Sequence, residues 1–145
     1  MKMGAQDIKE TYSYYVKELA SRFPSLAYLH AVESRIAGNV TIEADASESL
    51  DWIHDLWAPR PFFVAGGFTE ENAAAETARL SNTAVVYGRY FISNPDLVER
   101  LREGIPFRKY NRDTFYLLGP DQPKGYIDYE NATEEEKREA KAGKA

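Results

Sequence analysis

The chain has 145 residues, of which 43% are hydrophobic and 13% aromatic, a composition that predicts one folded domain with an apolar core. A net charge of −5 argues against nucleic acid as the main partner, and the lack of cysteine excludes disulfides, thiolate catalysis and cysteine metal sites. No apolar run reaches the roughly 18 residues that a membrane span needs, and the first residues do not resemble a signal peptide, so we expect a cytoplasmic protein.

The first half of the chain predicts helices that alternate with short buried strands. In order, the predicted elements are a helix over 6–22, a strand over 26–32, a loop over 33–46, a helix from the capping residue Ser47 to Trp57, and a strand over 62–65. Spacings of three and four give the first helix one apolar face that we expect to be buried, formed by Ile8, Tyr12, Tyr15, Val16 and Leu19.

The second half continues the alternation. The predicted elements are a helix capped by Thr69, a strand over 83–87, and a helix that Asn94 caps and Gly104 ends. This order of elements predicts a parallel sheet with flanking helices. We expect the folded part to end near residue 129, because residues 130–145 contain no aromatic or large aliphatic side chain and therefore predict a charged, mobile tail.

Two glycine turns follow the second and third predicted strands. Gly66 and Gly67 follow the strand over 62–65, and Gly88 and Arg89 follow the next. Each pair alone is equally compatible with ordinary turn geometry, because short glycine motifs give many false positives. Two such turns on consecutive parallel strands, one of them with an arginine, favour an anion site at the carboxyl ends of the strands.

His30 has no second histidine or paired carboxylate at ligand spacing. We expect His30 to be packed and hydrogen-bonded on its strand, and His54 to be exposed on its helix. No metal site is predicted, and neither histidine is assigned a catalytic role.

Residues 110–116 are rich in polar and aromatic side chains and lie outside the predicted helices and strands. They could form a segment that closes the end of a barrel. Alternatively, Phe115 and Tyr116 could form an aromatic wall for a flat ligand, with the Tyr116 hydroxyl as a hydrogen-bond donor. The residues alone leave both interpretations open.

Several stretches together resemble the C-terminal half of a fungal-type old yellow enzyme, an FMN-dependent NAD(P)H oxidoreductase (ene-reductase). The most specific is 87–97, which reads Tyr-Gly-Arg-Tyr-Phe-Ile-Ser-Asn-Pro-Asp-Leu; the others are 29–35, 64–68, 112–116 and 125–129. The resemblance covers nearly all of residues 1–129. It implies an α/β fold that is the C-terminal part of a (β/α)8 TIM barrel, with about three parallel strands and an incomplete barrel.

The resemblance also implies roles for individual residues. Backbone N–H groups of Gly66, Gly67, Gly88 and Arg89 would bind the phosphate of FMN, and the Arg89 side chain would add its charge. The residues implied beside the flavin and the substrate are Phe115 and Tyr116. In such enzymes NADPH or NADH reduces the flavin, which then reduces an activated alkene such as an enone.

The part of the family that this sequence matches begins after the first five strands of the barrel. The resemblance therefore implies that the substrate-binding His/Asn or His/His pair and the proton-donating tyrosine are missing, and no catalytic residue is assigned. Because three parallel strands leave two open edges, we expect an association-prone segment that needs a complementary N-terminal half or self-associates. The alternative is a non-catalytic remnant of this fold that binds FMN or phosphate, or serves as an interaction module, or has no function.

Overall fold

The structure is a computed structural model that describes residues 5–33, 36–37, 40–41 and 49–143. The chain divides into two compact units, each of which is described by itself. The first comprises Met1–Phe68 with Asn72–Val86, and the second comprises Thr69–Glu71 with Tyr87–Ala145.

A parallel three-stranded sheet is the centre of the first unit, which confirms the predicted α/β class. Its strands are β1 (Leu29–Val32), β4 (Phe62–Ala65) and β5 (Thr83–Val86), in the order β1-β4-β5. The central strand alternates between fully buried and partly exposed side chains, and both Phe62 and Val64 have no exposed surface. The strand over 62–65 was predicted with its observed bounds, whereas the first strand begins three residues later than expected.

The segment predicted as a long loop contains a short hairpin. Strand β2 (Ile36–Ala37) pairs in antiparallel register with β3 (Val40–Thr41). The prediction of a structureless loop was therefore wrong for these residues, because strands of two residues are too short to show any periodicity in sequence.

Helix α1 (Ala5–Arg22) agrees with the predicted helix to within one residue, but its predicted face is only partly buried. Val16 is 2% exposed, whereas Ile8, Tyr12 and Tyr15 are between 39% and 55% exposed. The apolar pattern identified the helix correctly, and the expected burial of these three side chains was wrong within this chain.

Two further helices flank the sheet, α2 (Asp51–Trp57) and α3 (Glu70–Arg79). Helix α2 begins later than predicted, and Ser47 lies outside the described residues. The hydroxyl of Ser49 instead accepts a hydrogen bond from the Asp51 N–H at 3.1 Å. Trp57 is buried in this unit and donates through Nε1 to the Pro61 carbonyl at 2.8 Å.

The second unit is built from short helices: α4 (Arg89–Ser93), α5 (Leu97–Glu103) and α6 (Glu134–Ala142), with 3-10 turns at Arg112–Thr114 and Gly119–Asp121. Gly104 ends α5 in the left-handed conformation with φ 69°, as predicted. The N-cap of α5 is Asp96 and has no side-chain capping bond, so the prediction that Asn94 caps this helix was wrong. The helical turn α4 was not predicted.

Helix α6 lies within the segment that was expected to form a charged tail. A capping box starts it: the Thr133 hydroxyl accepts from the Glu136 N–H, and the Glu136 carboxylate accepts from the Thr133 N–H. The helix has no buried side chain, yet its charged groups pair with residues of α5 and of the segment after it. The mobility of residues 130–145 stays a prediction.

Candidate functional site

The turn after β4 requires glycine at two successive positions. Gly66 has φ 110° and Gly67 has φ 63°, a region of backbone conformation that residues with a Cβ rarely adopt. The Gly67 carbonyl accepts a long hydrogen bond, 3.4 Å, from the Asn72 amide. In the sheet, Ala65 at the end of β4 pairs with Val86 at the end of β5, so the two strands end side by side.

The turn after β5 uses its glycine differently. Gly88 has φ −100°, which any residue can adopt, and it precedes α4 as the N-cap. A Cβ built on Gly88 would meet no heavy atom within 4 Å in the described part of the chain. Neither backbone strain nor packing against the described residues therefore requires glycine here. The open position would admit a bound molecule close to the backbone.

Arg89 lies over an aromatic ring of the same unit. Its Cζ is 5.2 Å from the centroid of the Tyr110 ring, within the range of a cation–π contact. Gly66 and Gly67 belong to the first unit, whereas Gly88 and Arg89 belong to the second.

The second unit contains a continuous series of aromatic contacts. Its centroid distances lie between 5.2 and 6.5 Å, and its members are Tyr87, Phe107, Tyr90, Tyr110, Phe115, Tyr116 and Tyr126. Phe115 is half-buried within this series, whereas Tyr116 is 81% exposed. The two residues predicted beside the flavin and the substrate are thus adjacent in the unit that carries Arg89.

Tyr87 begins this series directly after β5. Its hydroxyl donates to the Thr69 carbonyl at 3.0 Å, and burial, with the nearby charge of Glu70, raises its pKa to about 12. The phenol is therefore neutral at physiological pH and serves as a hydrogen-bond donor. Glu70 also accepts from the Phe107 N–H at 3.2 Å, which ties the segment after α5 to the start of α3.

The Ser-Asn pair of the most specific stretch has a structural role that the sequence did not reveal. The Ser93 hydroxyl donates to the Arg108 carbonyl at 2.7 Å. The buried Asn94 amide donates to the carbonyls of Tyr90 and Arg108, and its oxygen accepts from the Arg108 N–H at 2.8 Å. Asn94 therefore fixes the chain just before Tyr110, in place of the capping role that was predicted for it.

The aspartate of the same stretch belongs to a buried ionic network. Arg100, which has no exposed surface, donates through Nε to Asp96 at 2.9 Å and through Nη1 to the Pro106 carbonyl at 2.8 Å. Burial alone would raise the pKa of Asp96, but the hydrogen bond from the Ala132 N–H and the Arg100 guanidinium hold it below its usual range. Glu136 of α6 lies 3.5 Å from Arg100.

Glu136 connects this network to Arg108. Its carboxylate accepts from the Thr133 N–H and from Arg108 Nη2, each at 2.7 Å. The Thr133 hydrogen bond, together with the Arg108 and Arg100 charges, lowers the pKa of Glu136 to about 2. Residues 130–145 contain no aromatic or large aliphatic side chain, and this composition gave no sign that one of their carboxylates would join the network.

Packing against Thr114 explains the glycine at position 125, in the loop after residue 116. Gly125 has φ 67°, and a Cβ at this position would come within 2.9 Å of Thr114 Cγ2. The Thr114 hydroxyl donates to the Gly125 carbonyl at 2.9 Å and to the Asn111 carbonyl at 2.8 Å. These bonds hold the loop on the 3-10 turn that precedes Phe115.

Both expectations for the histidines were wrong. His54 is 7% exposed, with Nε2 2.8 Å from the Ser81 carbonyl and Nδ1 3.2 Å from Asp55, because α2 turns this position toward the end of α3. His30 is exposed, because it lies with Val32 on the more exposed face of β1. Within the described residues no three His, Cys, Asp or Glu side chains form a group that could hold a metal ion.

Among the helices within the described residues, length and apolar character never combine in the way that a bilayer span requires.

Residues 2–108 match the family model described as the NADH:flavin oxidoreductase / NADH oxidase family. The chain is 41% identical over 139 residues to chanoclavine-I aldehyde reductase fgaOx3 of Penicillium roqueforti, covering 93% of this chain and 36% of that protein. It is 33% identical over 124 residues to enoate reductase 1 of Kluyveromyces lactis, covering 81% of this chain and 30% of that protein.

A solved structure gives the same result. The Old Yellow Enzyme from Pichia sp. AKU4542 superposes with a TM-score of 0.69 at 27% identity, over 88% of this chain and 31% of that chain. The sequence therefore spans about a third of the length of these proteins, and the described α/β fold corresponds to part of their barrel. The predicted resemblance to fungal old yellow enzymes is confirmed, as is the choice of FMN and a nicotinamide nucleotide as the family's cofactors. The chain belongs to the NADH:flavin oxidoreductase / NADH oxidase family.

Proposed function

We propose that this chain binds the phosphate of FMN through Gly66, Gly67, Gly88 and Arg89. The observation that carries the proposal is that β4 and β5 end side by side and that each is followed by a glycine turn. The open space around Gly88 supports it, because neither its backbone conformation nor packing against the described residues requires a glycine there. Backbone N–H groups and a guanidinium are the usual partners of a phosphate in proteins.

The whole activity that we propose is the NAD(P)H-dependent reduction of an activated alkene, such as an enone. When bound, FMN would supply hydride transfer from NADPH or NADH to the substrate. Of this chain's residues, Phe115 and Tyr116 would lie on the substrate side, which the partial burial of Phe115 and the exposed Tyr116 ring support. The similarity to an enoate reductase supports the substrate class.

We propose further that the remaining strands of the barrel come from a complementary N-terminal half, or that the chain associates with itself. Two features support this. Strands β1 and β5 form the edges of the described sheet, with backbone groups that can pair with another strand. In addition, Tyr12 and Tyr15 of α1 leave an aromatic face about half exposed.

An FMN titration of the purified chain, followed by flavin fluorescence, tests phosphate binding. Replacing Arg89 with alanine should weaken FMN binding by about 1.5–3 kcal/mol, roughly 10- to 150-fold in Kd, because a charge-assisted bond is lost. Riboflavin, which lacks the phosphate, should be insensitive to this substitution. Arg102→Ala, which removes an exposed arginine of α5, is the matched control and should leave the Kd unchanged.

Equal FMN affinity in the Arg89→Ala variant and the unsubstituted chain would overturn the phosphate assignment. The enzymatic part is tested by NADPH oxidation with 2-cyclohexen-1-one, first with this chain alone and then after mixing with an N-terminal half from a relative. We expect turnover only in the mixture. FMN binding with no turnover in a mixture that forms a complex would favour the non-catalytic remnant.

A further inference from the structure

We propose that Tyr110 is a positioning residue that holds the Arg89 guanidinium for phosphate binding and links it to Phe115. This inference rests on the proposed function, because it assigns Arg89 the role of phosphate ligand. The geometry points to Tyr110 because one ring contacts both residues. The Arg89 Cζ lies 5.2 Å from the Tyr110 centroid, and the Phe115 centroid lies 5.7 Å from it.

The contact with Tyr110 is an attraction between the guanidinium charge and the ring, and an attraction of this kind uses no N–H donor. A phosphate binds a guanidinium through its N–H donors. The cation–π contact with Tyr110 and the binding of a phosphate are therefore compatible, and the first restricts the orientations available for the second.

The Tyr110 ring is itself held on a second side. Tyr90 packs against it nearly edge to face, with centroids 5.2 Å apart and an interplanar angle of 76°. Burial and the neighbouring Tyr110 both contribute to a raised pKa of Tyr90, which agrees with a partly desolvated cluster of rings. The ring beneath Arg89 thus contacts both Tyr90 and Phe115.

The backbone is fixed on both sides of Tyr110. Two positions before it, Arg108 exchanges hydrogen bonds with the buried Asn94 side chain through its N–H at 2.8 Å and its carbonyl at 3.0 Å. One position after it, the Asn111 N–H donates to the Tyr129 hydroxyl at 3.3 Å. The Asn111 carbonyl also accepts from the Thr114 hydroxyl at 2.8 Å.

This arrangement addresses the entropy that an arginine loses on binding. A free arginine side chain has many rotamers, and restricting them in the unbound protein lowers the cost of forming the phosphate contact. Tyr110 would provide that restriction. Since the same ring contacts Phe115, it would also couple the position of the phosphate ligand to that of the residue predicted beside the flavin ring.

Binding of FMN and riboflavin to three variants tests the positioning role. Tyr110→Leu removes the ring and should weaken FMN binding roughly two- to fivefold while leaving riboflavin binding unchanged, whereas Tyr110→Phe keeps the ring and should restore the FMN affinity. Tyr126→Leu, which removes a tyrosine that packs on Phe115 in the same series of rings, is the matched control and should leave the preference for FMN over riboflavin intact.

The effects of Arg89→Ala and Tyr110→Leu should not add in the double variant, because both remove the same oriented guanidinium. Additive losses, or an equal loss for riboflavin, would overturn the inference and leave the phosphate assignment of Arg89 in place. Conversely, an FMN affinity that does not respond to Arg89→Ala contradicts the proposed function itself.

NMR of the ligand-free chain decides whether the contact exists without FMN. The ring current of Tyr110 acts on the side-chain protons of Arg89, whose Cζ lies 5.2 Å from the ring centroid, so Tyr110→Leu should shift the Arg89 side-chain resonances and Tyr110→Phe should not. The amide spectrum of the remaining residues shows whether Tyr110→Leu is still folded. An unchanged Arg89 resonance in a folded Tyr110→Leu variant would overturn the inference, whatever the FMN titrations give.

Discussion

The two units of the chain have cores of different chemistry. Among the described residues of the first unit, the buried side chains are almost all apolar, including Trp57, Phe62, Val64 and Phe68, and His54 is the polar one. In the second unit the buried residues are Ser93, Asn94, Leu97, Arg100 and Ile105, of which three are polar or charged. The first core depends on burial of apolar surface, and the second on hydrogen bonds and ion pairs around one buried guanidinium, although the Nη2 of Arg100 has no hydrogen-bond partner among the described residues.

Because their cores differ, the two units should respond differently to the same perturbation. Apolar burial is insensitive to pH and loses free energy in proportion to the area removed. A buried polar network is sensitive to the loss of any one of its groups, because the deletion leaves another group unpaired in a medium of low dielectric constant. If the two units respond alike to the variants described next, the contrast between their cores is wrong.

The largest effect is expected in the apolar core. Phe62→Ala should lower the free energy of unfolding of the first unit by about 3–5 kcal/mol, because Phe62 is fully buried in the central strand. Urea denaturation combined with residue-resolved amide exchange measures it. Phe23→Ala, at a phenylalanine of the same unit that is 55% exposed, should cost far less. Similar losses for both variants would contradict the assigned core.

Breaking the buried ion pair should have the next largest effect. Asp96→Ala should destabilise the second unit by about 3 kcal/mol, because it leaves the Arg100 charge buried without its nearest carboxylate. Replacing the charge as well, in Asp96→Ala with Arg100→Met, should recover part of the loss. If the double variant is no more stable than Asp96→Ala in urea denaturation, the buried charge is not the cause.

Acid should affect the second unit through Glu136. Its pKa is about 2 in the folded protein, below the usual 4.5, so its contribution is fully present above pH 4.5 and is lost as the pH falls toward 2. We expect amide protection in α6 to decrease over this range, and Glu136→Gln to remove the part that Glu136 contributes, because Asp96 also has a lowered pKa and keeps its own acid dependence. Asp51 also has a lowered pKa, but its pair with Arg79 is exposed, so Asp51→Asn should change the pH profile little.

The smallest effect on stability is expected at the candidate site. Gly88→Ala should change the free energy of unfolding by no more than about 0.5 kcal/mol, because φ −100° is permitted and the Cβ would have room. The same substitution should weaken FMN binding, since the methyl group occupies the space proposed for the phosphate. Gly67→Ala, at φ 63°, should instead destabilise the fold by about 1–2 kcal/mol. Unchanged FMN affinity in Gly88→Ala would contradict a close approach of the phosphate to Gly88.

Periodicity and glycine chemistry predicted much of the fold. The strand Phe62–Ala65, helix α1 and the end of α5 at Gly104 were all located within a residue, because each has a local cause: an apolar run, a helical repeat, or a left-handed residue. The side-by-side ends of the two strands that precede the glycine turns also followed from sequence, since parallel strands end at one edge.

The errors share a different cause, which is that burial depends on contacts distant in sequence. His54 was expected on the solvent side of its helix, but the Ser81 carbonyl, 27 residues later, accepts from its ring. Asn94 has the residue type of a helix cap, and only the return of Arg108 shows that its amide serves another purpose. The apolar pattern of α1 includes Ile8, Tyr12 and Tyr15, which the described residues leave exposed.

One carboxylate has two tasks in α6. Glu136 closes the first turn of the helix with Thr133 and, through the same group, bonds Arg108 and faces Arg100. Formation of the first turn of α6 and attachment of α6 to the rest of the unit therefore depend on the same carboxylate. A peptide of residues 130–145 would lose Arg100 and Arg108 as partners of Glu136. The helicity of this segment therefore reports whether the unit around it is intact.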